Sequence, residues 1–221
     1  MNTVNGNFIE KSIPDNSDAT INVKIGNTDS TMNLVDFQTA MAPTPAYKVY
    51  TALLTQSGGG DPTFVEGDGE LQVGRSYEIN INNNNIDFTP YGAPNNNIGT
   101  KFVCTVYFGW IDPTGIPGDT QLLYNTGAPV VTVLENTIGN VWFTYVGVGD
   151  YYAMSDGLFT INKSINTLTQ TSNISSLSDT PYYAYCTPQN ANELEIVISD
   201  STLTNSNDLL YNKLIEIRVY N

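Results

Sequence analysis

Hydrophobic and polar residues alternate along much of the chain, in short runs that turn residues separate at intervals of about ten to fifteen. Residues 20–26, "TINVKIG", set Ile21, Val23 and Ile25 against polar neighbours. The same period of two recurs in "RSYEINI" (75–81), "NELEIVIS" (192–199) and "KLIEIRVYN" (213–221). Side chains on a strand point alternately to its two faces, so these runs predict half-buried strands of antiparallel sheets.

Two runs are apolar on both faces. In "KFVCTVYFGWI" (101–111), Val103, Thr105 and Tyr107 lie on the face opposite a second, more apolar set. That set is Phe102, Cys104, Val106, Phe108 and Trp110. Residues 140–149, "NVWFTYVGVG", are similar. Both runs predict central strands that are covered on both sides.

The pattern therefore predicts an all-β chain of antiparallel β-sandwich or jelly-roll-like modules in tandem. Prolines near residue 43 and the turn-rich stretch 112–119 suggest three parts: a segment 1–43 for attachment or oligomerisation, a β-module 44–112 and a β-module 113–221. The two modules either fold separately or share one core. Residues 31–41 predict either one short helix or a loop with apolar anchors.

A similar phrase occurs in both predicted modules. "YTALLTQSGGG" (50–60) and "DTQLLYNTGAPVVTVLEN" (119–136) each place a Leu pair before a glycine-containing turn and a proline. The spacing from the Leu pair to the proline differs, which excludes a regular solenoid repeat. We interpret the phrases as the first strands of the two modules. The three glycines at 58–60 form a turn, because no lysine follows them as in a phosphate-binding loop.

Composition narrows the classes of function. The 221 residues carry a formal net charge of −14 and only 14% are charged. So acidic a chain is repelled by phosphate backbones and anionic lipid, which argues against nucleic-acid binding. No stretch approaches the roughly 18 apolar residues of a membrane span, so we expect no membrane insertion. The first residues lack a secretory signal pattern, so we expect synthesis in a cytoplasm.

Catalytic chemistry has little support. The chain has no histidine, which excludes His-dependent nucleophilic triads and the commonest metal ligand. Glu66, Asp68 and Glu70 could serve a glycosidase, although a charged turn is the commoner role of such a cluster. Oxygen ligands at 15–18 or 206–209 lack the spacing of a calcium loop. We therefore predict no enzyme, no catalytic residue, no metal and no cofactor.

The two cysteines, Cys104 and Cys186, are too few for a disulfide framework. Cys104 fits a small core residue, and a bridge to Cys186 is the alternative.

Tyrosine is the more distinctive residue type, with 14 in the chain. "DYYAM" contains Tyr151 and Tyr152, and "PYYAYC" contains Tyr182, Tyr183 and Tyr185. Aromatic faces stack on sugar rings, but tyrosines in β-proteins lie more often in cores or subunit interfaces. We take Tyr151, Tyr152, Tyr182 and Tyr183 as candidate interface or glycan-contact residues.

Several longer phrases resemble virion proteins of tailed phages that infect Bacteroidetes, especially the crAss-like group. They are "YKVYTALLTQSG", "YGAPNNN-G", "FVCT", "VLENTIG", where that group has "VLENTLG", and the final "IEIRVYN". The resemblance extends over residues 46–221, and residues 1–45 carry none of these phrases.

The resemblance implies a structural or attachment protein of the phage particle: a head fibre, a capsid-associated protein or part of a tail fibre. Such proteins are usually trimers that bury strand edges between protomers. We therefore expect a virion location, capsid or tail proteins as partners, and self-association as a homotrimer. The alternative is a tail-fibre adhesin domain that binds a host surface glycan. A third hypothesis is a depolymerase acting through Glu66, Asp68 or Glu70.

Overall fold

The computed structural model describes residues 20–25, 28–33, 46–60, 65–66, 70–83, 85–108, 120–169 and 183–221. Contacts divide the chain into two compact units, residues 1–45 and 46–221. In the first unit, β1 (Thr20–Ile25) pairs antiparallel with β2 (Thr28–Asn33), which confirms the strand predicted at 20–26. The helix predicted over 31–41 is wrong at 31–33, where the backbone pairs with β1. Residues 34–41 lie outside the described residues.

The second unit contains three antiparallel four-stranded sheets, so the predicted all-β, sandwich-like class is confirmed. The first sheet has the order β11-β14-β3-β8, the second β12-β13-β10-β9 and the third β4-β7-β5-β6. The strands are β3 (Tyr47–Thr55), β4 (Val65–Glu66), β5 (Ser76–Asn82), β6 (Lys101–Val103), β7 (Thr120–Tyr124), β8 (Val130–Asn136), β9 (Val141–Gly147), β10 (Asp150–Ser155), β11 (Ser164–Thr169), β12 (Tyr183–Pro188), β13 (Glu193–Ser199) and β14 (Lys213–Tyr220).

The first and second sheets bury their facing sides in one hydrophobic core. Tyr50 and Leu54 of β3 and Ile217 of β14 meet Phe143 of β9 and Ile196 of β13 there. Burying an aliphatic side chain of this size stabilises the fold by about 1.5–3 kcal/mol. The strands predicted at 192–199 and 213–221 are confirmed, and β14 pairs on both sides, with β11 and β3.

The third sheet has a smaller core of its own and packs against the free edge of β9. Its core includes Tyr77, Ile79 and Phe102, so the strand predicted at 75–81 is confirmed as β5. Ser76 Oγ accepts a hydrogen bond from the Phe143 N–H at 2.8 Å. Polar side chains of the third sheet thus occupy backbone donors that an edge strand would otherwise leave open.

The strands on either side of the predicted boundary at 112/113 are interleaved. β3, from the first predicted module, lies between β14 and β8 from the second. β7, from the second predicted module, lies between β4 and β5 from the first. Residues 46–221 are accordingly one compact unit. The boundary between the two compact units lies at residue 45, close to the predicted end of the N-terminal segment at 43.

The long central strand predicted at 101–111 is wrong. Among its described residues, 101–108, only Lys101–Val103 forms a strand, β6, at the edge of the third sheet. Phe102 enters the small core and Val103 the main core, so both faces are covered there. Beyond Cys104 the chain leaves the sheet, because the Thr105 N–H bonds to the Tyr91 carbonyl at 2.9 Å. By contrast β9, predicted as similar, buries Val141, Trp142 and Phe143 in succession, so both of its faces are covered. Its predicted central position is wrong, because β9 is the edge strand of the second sheet.

The two recurring phrases meet in space. The first forms β3 and the turn after it, and the second forms β7, a turn and β8, which pairs with β3. Gly60 of the first turn packs against the backbone of Gly127 in the second, so closely that a Cβ on Gly60 would lie 2.2 Å from the Gly127 nitrogen. The glycines therefore allow two turns to touch.

Both cysteines are free. Cys104 is buried in the small core, as predicted for a core residue, and Cys186 packs against the main core. The two thiols thus belong to different cores, and the bridge that was the alternative does not form. Within the described segments, no helix has the length and apolar character needed to cross a membrane.

Candidate functional site

The candidate tyrosines lie on opposite sides of the second sheet. Tyr151 is 1% exposed and points into the main core, whereas its neighbour Tyr152 lies on the outer face. Tyr183 lies on the outer face of β12 and is 57% exposed. Successive residues of a strand point to opposite faces, so Tyr151 and Tyr152 cannot share a surface. Tyr182 lies outside the described residues.

Tyr151 is part of the core and holds a loop in place. Its hydroxyl donates to Asn207 Oδ1 at 3.0 Å, and its ring centroid lies 5.9 Å from that of Tyr145. Burial, with smaller contributions from Tyr145 and nearby carboxylates, raises the pKa of the Tyr151 hydroxyl. Asn207 Oδ1 also accepts from the Gly149 N–H. Tyr151 is therefore unsuited to contact a ligand.

The outer side of the second sheet carries a group of aromatic and acidic side chains that we call the tyrosine face. Its members are Tyr152, Tyr183, Tyr185, Asp150, Glu193 and Glu195.

Strand pairing fixes the arrangement of the tyrosine face. Tyr152 lies opposite Glu195 on β13. Tyr185 and Asp150 both lie opposite Val197, one from each side, which separates their backbones by two strand spacings, or about 10 Å. Tyr185 is 52% exposed. Tyr152 therefore has a carboxylate as its cross-strand neighbour, whereas Val197 separates Tyr185 from Asp150.

The tyrosine face carries negative charge without positive charge. The strands β9, β10, β12 and β13 contain three carboxylates on this face and no lysine or arginine. Burial first, and then the charges of Glu195 and Asp150, raise the pKa of Tyr152. Burial, and then the charge of Glu195, raise the pKa of Asp150. A cation bound beside these two carboxylates would relieve their mutual repulsion.

Turn residues orient two of these carboxylates. Gln189 Nε2 donates to Glu195 Oε2 at 2.7 Å, and Asn190 Nδ2 donates to Glu193 Oε2 at 2.6 Å. Both donors come from the turn between β12 and β13. The carboxylates are thereby held in place.

This arrangement suits binding. Tyrosine presents a flat apolar ring with a hydroxyl at its tip, at a low entropic cost of ordering. The carboxylates of the same face can accept hydrogen bonds from sugar hydroxyls or pair with lysine and arginine. The tyrosine face can therefore bind a basic protein surface or a saccharide.

The sequence pointed to two members of the tyrosine face and missed others. Tyr185 was noted within its phrase, but the alternation of Tyr183 and Tyr185 is what shows that they share a face. Glu193 and Glu195 follow the same rule on β13. Asp150 and Tyr152 alternate in the same way on β10. What no local pattern contains is the pairing of β10 with β13, which brings these two residues beside the glutamates.

The acidic cluster considered for hydrolysis is only partly within the described residues. Asp68 and the side chain of Glu66 lie outside them, and Glu70 is exposed. Among the described residues, no three acidic, cysteine or histidine side chains are grouped to hold a metal ion. At 206–209, the Asp208 carboxylate accepts a hydrogen bond from the Gly58 N–H. Residues 15–18 lie outside the described residues.

The chain matches no protein-family model, and neither the curated proteins nor the solved structures contain a significant match to it.

Proposed function

We propose that the chain is a non-enzymatic structural protein of a tailed-bacteriophage particle, a head-fibre or capsid-associated protein that acts through contact surfaces. The observation that carries the proposal is the tyrosine face, a group of aromatic and acidic side chains on the outer side of the second sheet. Synthesis in the host cytoplasm and incorporation into the virion follow from the proposal.

The positions of the resembling phrases support it. "YKVYTALLT" forms β3, "VLEN" ends β8, and "IEIRVY" lies in β14. These three strands are neighbours in the first sheet, in the order β14-β3-β8. Three phrases that are far apart in the chain thus form neighbouring strands of one sheet. This is expected when a resemblance extends over a whole folded module.

Charge selects the partner of the tyrosine face. Two copies of this face would bring six carboxylates together, which disfavours a contact between identical faces. A capsid or tail protein with exposed lysines and arginines would satisfy the carboxylates and stack its cations on the rings. We propose that the tyrosine face docks on such a basic surface.

Self-association as a homotrimer needs another surface, and β8 offers one. This edge strand of the first sheet exposes Val133 (36%) and Leu134 (56%). Leu134 is the extra residue of a bulge opposite Thr51 and Ala52. A bulge disrupts edge-to-edge strand pairing, so we propose contact between apolar side chains rather than an added strand.

Light scattering tests the trimer. Wild-type chain should have three times the monomer mass, and Leu134→Lys should shift it to monomer without loss of fold. Ile98→Lys is the matched control, because Ile98 is 68% exposed in a loop of the third sheet. A wild-type monomer at high concentration, or equal effects of the two variants, would remove this part of the proposal.

Mass spectrometry of purified particles tests the virion role itself. Particles of the phage that encodes the chain should contain it at a copy number comparable with other minor structural proteins, and antibodies should label intact particles. A chain found only in the soluble lysate would contradict the proposal.

A glycan-binding adhesin domain is the second candidate, since Tyr152, Tyr183 and Tyr185 could stack on sugar rings. On a glycan array, wild-type chain should bind and the triple Tyr→Ala variant should not. Tyr211→Ala is the control, because Tyr211 is 59% exposed outside the tyrosine face. A blank array with wild-type chain would exclude this candidate.

A further inference from the structure

A polar cleft lies where the third sheet meets the end of β3 and the turn between β7 and β8. It encloses about 80 Å³, room for several water molecules or one small polar group. Its walls include Arg75, Tyr124, Ser76 and Asn125, and hydroxyl groups border its opening. The cleft is separate from the tyrosine face, since none of these residues lies on the outer side of the second sheet.

Arg75 supplies a positive charge that no described carboxylate neutralises. Its guanidinium carbon lies 5.2 Å from the centroid of the Tyr124 ring. Elsewhere, Lys101 pairs with Glu78 at 3.2 Å and Arg218 with Glu216 at 2.7 Å. In a chain with 22 acidic and 8 basic residues, a half-buried arginine without a carboxylate partner among the described residues is conspicuous.

The Tyr124 ring restricts the guanidinium, which presents a planar fork of donors suited to two oxygens of one carboxylate. A lysine in this place would supply the charge without the paired geometry.

The floor of the cleft is rigid. Ser76 and Asn125 are 3% and 5% exposed. Ser76 Oγ accepts from the Phe143 N–H, and Asn125 Oδ1 accepts from the Tyr145 N–H at 3.2 Å. Both residues are thus fixed to β9, so a ligand would meet a preformed site and lose little free energy in ordering it.

The rim carries hydroxyl groups that are free to bind. Ser57 and Thr126 are exposed, and neither hydroxyl bonds to a described residue. Thr55 lies beside them, with its hydroxyl bonded to Asn212. A ligand with a carboxylate for Arg75 and several hydroxyls for this rim would use both features.

We infer that the cleft binds an acidic saccharide, such as a uronic or sialic acid, whose carboxylate enters the cleft while its hydroxyls contact the rim. A bare carboxylate would use only Arg75, and a neutral sugar would leave Arg75 unpaired. The inference goes beyond the proposed function and does not depend on the tyrosine face.

Titration of the full chain with glucuronate, followed by amide chemical shifts, tests the inference. We expect saturable shifts around the cleft with a dissociation constant on the order of 1 mM, as for a weakly bound monosaccharide. Glucose and acetate, the neutral sugar and the bare carboxylate, should each bind at least tenfold more weakly.

Substitutions locate the site. Arg75→Gln should weaken glucuronate binding at least tenfold, and Arg75→Lys several-fold, because lysine keeps the charge but loses the fork. Lys163→Gln removes the same charge at an exposed position before β11, at the opposite edge of the first sheet, and should leave binding unchanged. The triple Tyr→Ala variant of the tyrosine face should also bind normally, which separates this inference from the glycan candidate above.

Four results would overturn the inference: no saturation at ten times the expected dissociation constant, equal binding of acetate, equal binding of glucose, or an equal loss in Lys163→Gln. Amide spectra of each variant establish that it is folded. If Arg75→Gln does not fold, Arg75→Lys decides: unchanged affinity in that variant rejects the bidentate contact.

Discussion

The contact between Gly60 and Gly127 gives the sharpest test of how the unit 46–221 is assembled. A Cβ added to Gly127 would lie 2.5 Å from Cγ of the Tyr145 ring and 3.0 Å from the Gly60 Cα. Carbon atoms pack at about 3.5–4.0 Å, so something must move by about 1 Å. Tyr145 is 5% exposed, and its N–H is held by Asn125, so the ring has little room to yield.

Overpacking of this kind destabilises a fold by about 1–3 kcal/mol. For a unit of this size, each kcal/mol lowers Tm by about 2–4 °C, so we expect Gly127→Ala to lower Tm by about 4–8 °C for a loss near 2 kcal/mol. Differential scanning calorimetry and urea unfolding would measure both quantities.

Gly147→Ala is the matched control, because nothing lies within 4 Å of a Cβ placed there. Alanine also reduces the entropy of the unfolded chain, so this variant should be neutral or slightly more stable. Gly60→Ala places a Cβ in the same contact from the other side. The double variant should lose less free energy of unfolding than the sum of the losses of the two single variants. Equal stability of Gly127→Ala and Gly147→Ala would refute the contact between the two turns.

Three further predictions concern ionisable and reactive groups. Burial raises the pKa of Asp150, so its ionised form destabilises the fold. Asp150→Asn should therefore raise Tm at pH 7, and the gain in Tm should vanish below the ordinary aspartate pKa of 3.8. A gain in Tm that persists at pH 3 would show a packing effect instead. Hydrogen bonds from Asn96 and Thr89 lower the pKa of Asp87, so its stabilising effect is present above the ordinary aspartate pKa and lost as pH falls. Asp87→Ala should lower Tm at pH 7, and the difference in Tm from wild type should shrink on acidification. A difference in Tm that stays constant with pH would contradict this assignment. Both cysteines are free, so a reducing agent should leave Tm unchanged. Burial raises the pKa of both thiols, so a thiol reagent should label the native chain slowly and the urea-unfolded chain rapidly. Rapid labelling of the native chain would contradict the burial.

Much of the strand content could be predicted from the sequence because alternation is a local property. The runs that became β1, β5, β13 and β14 each alternate cleanly. The run at 101–111 alternates as well, yet its strand ends at Val103. Beyond Cys104, the Thr105 N–H bonds to the Tyr91 carbonyl in a loop instead of continuing the sheet. The local pattern sets the conformation that a segment prefers. Pairing with a distant segment decides whether the strand forms.

The interleaving of the sheets could not be predicted. Nothing in β3 itself indicates that it lies between β8 and β14. That pairing depends on the packing of distant strands, and so does the juxtaposition of Gly60 with Gly127. The same limit applies to the candidate site. Tyr152 and Tyr183 were named from their clusters, and alternation places Asp150 on the face of Tyr152. Only strand register brings β10, β13 and β12 together as one face.

The central claim is that the tyrosine face attaches the chain to a phage particle. Its most direct test is the quantitative mass spectrometry of particles assembled with either wild-type chain, the triple variant Tyr152→Ala, Tyr183→Ala and Tyr185→Ala, or the Tyr211→Ala control. The account predicts equal copy numbers for wild type and control, and a copy number reduced at least tenfold for the triple variant, with its fold intact by circular dichroism. A triple variant that is incorporated as fully as wild type, or a wild-type chain absent from the particles, would contradict it.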